Sequence, residues 1–263
     1  MPRRTHRFDN GVTVYDYHLT HGQRERYKKR NVHEADEEDV FLAIIRAIPQ
    51  DGCYVNVGSA IGYYAILAKT RSPGLTIHAV EPLASHRRYF RENLRLNGLS
   101  PDDFQLHGEA ISASAGFDLL RDKDYGSSIV RAFQGPLSLG SRVKTLARML
   151  LALFGRGDYR IAKTTTLDRL MDAVGRPADL LQMDVQGLEV DVLRSGRRAL
   201  QAGHVKTFLV GTHGPEIHRA CIETLREHGY SIEFEEPQPR DQPDGIIVAS
   251  KAVRRLGRSN GAD

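Results

Sequence analysis

Residues 54–64 read YVNVGSAIGYY, an apolar run that meets glycines at 58 and 62 before a second apolar stretch. A glycine at a strand exit lets the backbone approach a ligand closely, and a second one lets the following helix start tightly against the strand. Glu81 ends the next apolar run, 23 residues beyond Gly58. A carboxylate at that edge can accept hydrogen bonds from both hydroxyls of a ribose, so the pair points to an adenosine-containing cofactor. A dinucleotide requires G-x-G-x-x-G, which brings a pyrophosphate to the helix N-terminus. Here the spacing is G-x-x-x-G with Ala60 inside it, which suits a cofactor without phosphate. The plain alternative is a tight strand–helix turn that binds nothing.

Two later segments supply groups that could act on a substrate. In LLQMDVQGLEVDVLRSG, residues 180–196, an apolar strand delivers Asp184 to its carboxyl end, where open α/β sheets place their sites. Asp184 could meet substrate, hold a metal, or cap the following helix. In FLVGTHGPEIH, residues 208–218, the strand delivers Thr212 and His213 to the same edge. Histidine there suits general-base work near neutral pH. Alternatively, Asp184, Thr212 and His213 would form a thin ligand set for Mg²⁺, completed by waters and substrate. A purely structural histidine is the other reading of His213, and His218, inside the next helix, is the poorer candidate.

The elements that must carry these groups follow from periodicity. A helix is predicted over Asp36–Ile48, then strand Cys53–Val57, helix Gly62–Lys69, strand Leu75–Val80, helix Ala84–Asn97 and strand Asp103–His107. The alternation resumes with strand Leu180–Met183, helix Leu188–Leu193, strand Val205–Val210 and helix Pro215–His228. Strands Tyr230–Glu235 and Gly245–Ser250, joined by a proline-rich turn, read as an antiparallel pair. Strand–helix alternation implies a doubly wound, mostly parallel seven-stranded sheet, here with an antiparallel C-terminal hairpin. Residues 1–33 form an N-terminal arm with turns at Gly11 and Gly22, 34–250 the main domain, and 251–263 a basic tail. The stretch 117–163 breaks the rhythm. Phe117–Leu120 and Ser127–Val130 could be short strands and Arg142–Phe154 an amphipathic helix, an insertion suited to a lid, a substrate wall or a homodimer contact.

Composition narrows the classes. With 263 residues and 40% hydrophobic content, one large domain with a real core is expected. A net charge of +4 falls short of a dedicated nucleic-acid binder, and the basic run Arg24–Arg30 is followed at once by the acidic EADEED. Two distant cysteines give no zinc pattern. No apolar run reaches the ~18 residues of a membrane span, and no apolar segment follows the charged N-terminus, so a cytoplasmic location is expected.

Taken in order, these motifs resemble the FkbM family of S-adenosylmethionine-dependent methyltransferases. The resemblance covers roughly residues 35–250 and rests on VGSAIGYY with VEP at 80–82, GEAIS at 108–112, YGSSI at 125–129, TTTLDRL at 164–170 and MDVQGLEVDVLRSG. It implies a class I, Rossmann-like methyltransferase fold and O-methylation of a hydroxyl on a sugar, oligosaccharide or glycosylated natural product. On that reading Asn56, Gly58, Ser59, Ala60, Gly62 and Tyr63 surround S-adenosylmethionine, Glu81 binds its ribose, and Glu109 with Ala110 lies near its adenine. Asp184 and His213 then act on the acceptor. Three departures touch the site: Asn56 where the family usually has Asp, Gln186 where Glu is usual, and THG in place of E-x-H. A nucleic-acid methylase would usually carry D/N-P-P-Y where this chain has DVQG. A nicotinamide dehydrogenase is disfavoured by the glycine spacing, and a non-catalytic module docking a partner or membrane through residues 142–154 is the remaining alternative.

Overall fold

The computed structural model describes residues 3–121, 128–130, 152, 158–240 and 242–251. The chain opens with a hairpin of β1 (Thr5–Arg7) and β2 (Thr13–Tyr15). Two helices follow, α1 (His21–Tyr27) and α2 (Ala35–Ala47). The Thr20 hydroxyl accepts from the Gln23 amide while the Gln23 side chain accepts from the Thr20 amide, a reciprocal cap that starts α1. The arm thus turns at Gly11 as expected from sequence, but Gly22 lies inside a short helix and not at a turn, an element too brief for periodicity to register.

The main sheet alternates with helices: β3 (Cys53–Val57), α3 (Tyr63–Arg71), β4 (Thr76–Val80), α4 (Ala84–Leu96) and β5 (Phe104–His107). A smaller sheet intervenes, made of β6 (Ala110–Ile111), β7 (Gly116–Arg121), β8 (Ser128–Val130) and β9 (Tyr159–Thr165), in the order β6-β9-β7-β8. The rest of the main layer is α5 (Leu167–Val174), β10 (Ala178–Met183), α6 (Glu189–Ser195), α7 (Arg197–Ala202), β11 (Val205–Thr212), α8 (Pro215–Glu227), β12 (Tyr230–Glu236) and β13 (Gly245–Lys251).

The seven strands lie in the order β12-β13-β11-β10-β3-β4-β5, with β13 antiparallel to both its neighbours. This is the doubly wound sheet expected from sequence, closed by the antiparallel pair. Strands β3 and β10 are buried along their whole length because helices cover both faces. One face packs Tyr54, Ile77, Leu180 and Leu209 against α2, α3 and α4; the other packs Val55, Leu181 and Phe208 against the later helices. The predicted helix Arg142–Phe154 lies outside the described residues except for Ala152, which packs on Leu119 of β7.

Side-chain alternation along the strands decides where the polar groups go. The parallel registers pair Asn56 with Gln182 and Met183 with Val210. Tyr54, Asn56, Leu180, Gln182, Leu209 and Gly211 thus share the face covered by α2, and Asp184 and His213 continue that parity past the strand ends. Each strand is apolar at its start and polar at its carboxyl end on this one face.

Candidate active site

A cavity of about 630 Å³ opens at the carboxyl ends of β3, β4 and β10. Strand order reverses between β3 and β10, the switch point where such sheets bind ligands. Asn56, Gly58, Ser59, Ala60, Tyr63, Glu81, Ala110, Asp184 and His213 all line it, so the two clusters read separately from sequence face one space.

The turn after β3 is shaped by contacts only small residues permit. Gly58 has φ +88°, and a Cβ there would lie 2.0 Å from the Asp184 carbonyl oxygen. Gly62, with φ +90°, would drive a Cβ to 1.8 Å from the Phe90 ring. Gly62 thus serves the packing of α3 on α4. Ala60 takes φ +45°, a left-handed conformation uncommon for a residue with a side chain. Its amide donates to Glu81 Oε2 at 3.0 Å, and the Leu83 amide donates to Oε1 at 2.8 Å. Glu81 therefore clamps the first turn to the exit of β4, and a carboxylate with about four lone-pair directions keeps capacity for a ribose diol. Ser59 turns its hydroxyl onto the Asn56 carbonyl at 2.8 Å, and its amide donates to the Val80 carbonyl at 3.0 Å, securing the turn to β4. The Tyr63 hydroxyl lies among Glu38, Asn10 and His33, tying the arm to α3.

Two sequence-derived assignments change. Glu109 does not line the cavity: its carboxylate pairs with Lys163 of β9 at 2.6 Å, because β6 runs beside β9. Thr212 is buried with its hydroxyl 2.7 Å from His218 Nδ1, so it leaves the set proposed for a metal. Strand alternation is the reason, since Thr212 falls on the opposite parity from Gly211 and His213.

The group around His213 is richer than sequence suggested. Its Nδ1 lies 2.8 Å from Glu189 Oε1, and its Nε2 lies 3.2 Å from Asp244 Oδ1 and 3.6 Å from Asp184 Oδ1. Gln186, at φ +55°, donates its amide to Asp184 Oδ1 at 3.1 Å. The Gln that replaces the family's usual Glu thus exchanges a repelling charge for a hydrogen bond. Glu34 and Glu37 of the acidic run are buried, and Glu37 Oε1 accepts from Gln182 Nε2 at 2.5 Å. The sequence carried a signal for them that net charge conceals: 34, 37, 38, 41 and 45 form one helical stripe, which places acids in phase with Phe41 and Ile45.

Charge crowding shifts these groups in opposite senses. Burial disfavours the His213 cation, but the Glu189 hydrogen bond and the Asp184 and Asp244 charges outweigh it and hold its pKa up to about 9. Burial, eased by the His213 charge, leaves Asp184 at about 6. Burial and the Asp184 charge raise Glu37 to about 8, and burial raises Glu34 and Asp244. The surrounding carboxylates thus favour the His213 cation, and that cation in turn favours an ionised Asp184. Asp184, Glu189 and His213 each offer a ligand atom within 4.8 Å of the others, and Glu34, Asp184 and Asp244 form a second such set.

The methyltransferase FkbM domain model matches residues 56–232. A protein of Jannaschia sp. (strain CCS1), named as a candidate methyltransferase, is 27% identical over 206 residues, covering 75% of this chain and 68% of that one. Among solved structures, the methyltransferase FkbM of Methylobacillus flagellatus KT aligns with TM-score 0.48 and 14% identity over 76% of this chain and 44% of its own. The present chain thus spans less than half of that structure's length. A candidate rRNA methylase of Clostridium thermocellum aligns with TM-score 0.50 and 7% identity over 81% and 94% of the two chains, a likeness of fold.

Proposed function

The chain belongs to the FkbM methyltransferase family, and from that premise we propose that it methylates a hydroxyl oxygen of a saccharide or similar polyhydroxylated acceptor, using S-adenosylmethionine. The observation that carries this reading is the single cavity that joins the Gly58–Gly62 turn and Glu81 to Asp184 and His213. The residues fit an adenosyl donor: a turn with no side chain beyond Cβ at 58 and 60, a carboxylate at the β4 exit, and apolar walls from Ile61, Ala110, Ile111 and Leu120, while Gly62, expected from sequence to join the cradle, packs on Phe90 and does not line the cavity. Bound there, S-adenosylmethionine supplies a methyl group on sulfonium sulfur, which an acceptor oxygen takes in line as the carbon–sulfur bond breaks.

The chain's own residues must align that oxygen and take its proton. A carboxylate raised above its ordinary range suits this, and burial raises Asp184 in that sense. His213, first choice as base from sequence alone, carries a proton at neutral pH, so we assign it to holding Asp184 ionised and placed. Gln186 and the backbone contact to Gly58 fix Asp184 from two other sides. Asp184 and Asp244 along the cavity offer carboxylate oxygens that could accept from a polyhydroxylated ligand.

A divalent cation is the second reading. Glu189 Oε2 and His213 Nε2 are buried without hydrogen-bond partners, atoms a cation could engage. Two carboxylates with an imidazole suit Mn²⁺ or Fe²⁺ better than the Mg²⁺ expected from sequence. Bound there, an ion would displace the His213 proton and acidify the acceptor hydroxyl. Incubation with isotope-labelled donor and a panel of saccharides, with and without exhaustive chelation, tests both readings by mass spectrometry. Label on a sugar oxygen is expected. Its absence from every sugar while the donor binds would remove the acceptor assignment, and full activity after chelation would remove the ion.

A further inference from the structure

A second cleft, of about 510 Å³, adjoins the main cavity and shares Arg26, His33 and Pro243 with it. The two differ in charge. The main cavity gathers Glu34, Glu81, Asp184 and Asp244, whereas Arg26, Lys29, Arg30 and Arg240 line the cleft beside one acid, Glu25. Glu25 is already bonded to Lys28 at 2.6 Å, and Arg30 to Asp39 at 2.9 Å. Lys29 and Arg240 are thus the cations placed to meet a ligand, with Arg26, whose charge also acts on Glu34 and Asp244, beside them. Arg26 stands at the junction, and its Nε is buried without a hydrogen-bond partner. A buried guanidinium N–H left unpaired costs the desolvation that a charged acceptor would recover.

The cleft is built from secured pieces. The reciprocal Thr20–Gln23 cap starts α1, which carries Arg26 in its last turn. Across from it, Gln242 accepts from the Glu37 amide at 2.9 Å and donates to the Asp244 carbonyl at 3.0 Å, fastening the loop that follows Arg240 to α2. Resting on the methyl-transfer reading above, we propose that the acceptor is an anionic saccharide, whose oxyanion docks on Arg26, Lys29 and Arg240 while a hydroxyl reaches Asp184. The main cavity holds more carboxylates than cations and the cleft more cations than carboxylates, so an oxyanion is drawn to the cleft end and such a molecule enters in one orientation. Orientation, and with it the choice of hydroxyl, follows from charge.

The test measures binding of glucuronate, glucose 6-phosphate, glucose 6-sulfate and glucose to the full chain by calorimetry, with S-adenosylhomocysteine titrated separately and then present throughout. At least one anionic sugar is expected to bind about tenfold or more tighter than glucose, with a preference that fades as salt rises. The three anions distinguish a carboxylate, a phosphate and a sulfate source. In the double variant K29A/R240A that preference should shrink to about twofold or less, with S-adenosylhomocysteine affinity held. Equal binding of glucose and all three anions, or a preference that survives the double variant, overturns the proposal. So does anion competition with S-adenosylhomocysteine, which would give the cations to the donor's own carboxylate. If S-adenosylhomocysteine itself does not bind, the methyl-transfer reading fails first and the acceptor proposal with it, an outcome distinct from the other three.

Discussion

Asp184 and His213 face each other with opposite charges because each neighbour biases them in a known direction. Glu189 is fully buried, accepts from His213 and from the Gly187 amide, and so holds the imidazole in place while favouring its cation. In the metal-free protein the His213 ring is expected to titrate with a midpoint of about 9, read from imidazole NMR shifts. Glu189→Gln should move that midpoint down toward the ordinary histidine value; a midpoint near 6.5 in the unaltered protein would contradict the electrostatic account. Asp184→Asn should lower turnover by about 100-fold or more while donor affinity changes by less than about twofold. Equal loss of both would recast Asp184 as a donor-site residue. Thr212→Val, by contrast, should leave turnover nearly unchanged, since its hydroxyl serves His218.

At the scale of elements, two glycines in one turn answer to different neighbours, and their alanine variants should differ. In Gly62→Ala the obstacle is the Phe90 side chain, so a second change, Phe90→Leu, should return part of the lost stability. In Gly58→Ala the obstacle is the Asp184 backbone, and no trimming of side chains helps. A loss of about 3 kcal/mol or more, ~10 °C in Tm, is expected there, with loss of donor binding. Elements whose burial is continuous or regularly periodic, such as β3, β10, α4 and α8, were legible in the sequence to within a residue or two. Others were not. β9, YRIAKTT, is half polar and owes its strand to pairing with β7. The turn after β3 and its link to Glu81 were legible because glycines and a carboxylate at fixed spacing follow the strand exits. The acids Glu34, Glu37, Glu189 and Asp244 were hidden because they converge from α2, α6 and the turn before β13. Only sheet order and strand parity bring such distant positions together.

For the molecule as a whole, the buried charge makes stability depend on pH in a predictable sense. Glu37 and His213 both bind protons more tightly folded than unfolded, so their stabilisation is complete at low pH and is lost as pH rises through about 8 and about 9. Buried His33, lowered to about 3, works the other way and weakens the fold as pH falls below its ordinary value. The metal-free protein should therefore melt at a higher temperature at about pH 6 than at about pH 9.5; the reverse order would contradict this balance. The contact between Gly58 and the carbonyl of Asp184 has a consequence for diversification. It ties the turn after β3 to the exit of β10 through main chain alone, so their spacing is indifferent to most side-chain change. New acceptors can then be tried by rewriting the arm and the loop before β13, much as a tool is refitted with another jaw while its handle and pivot stay the same.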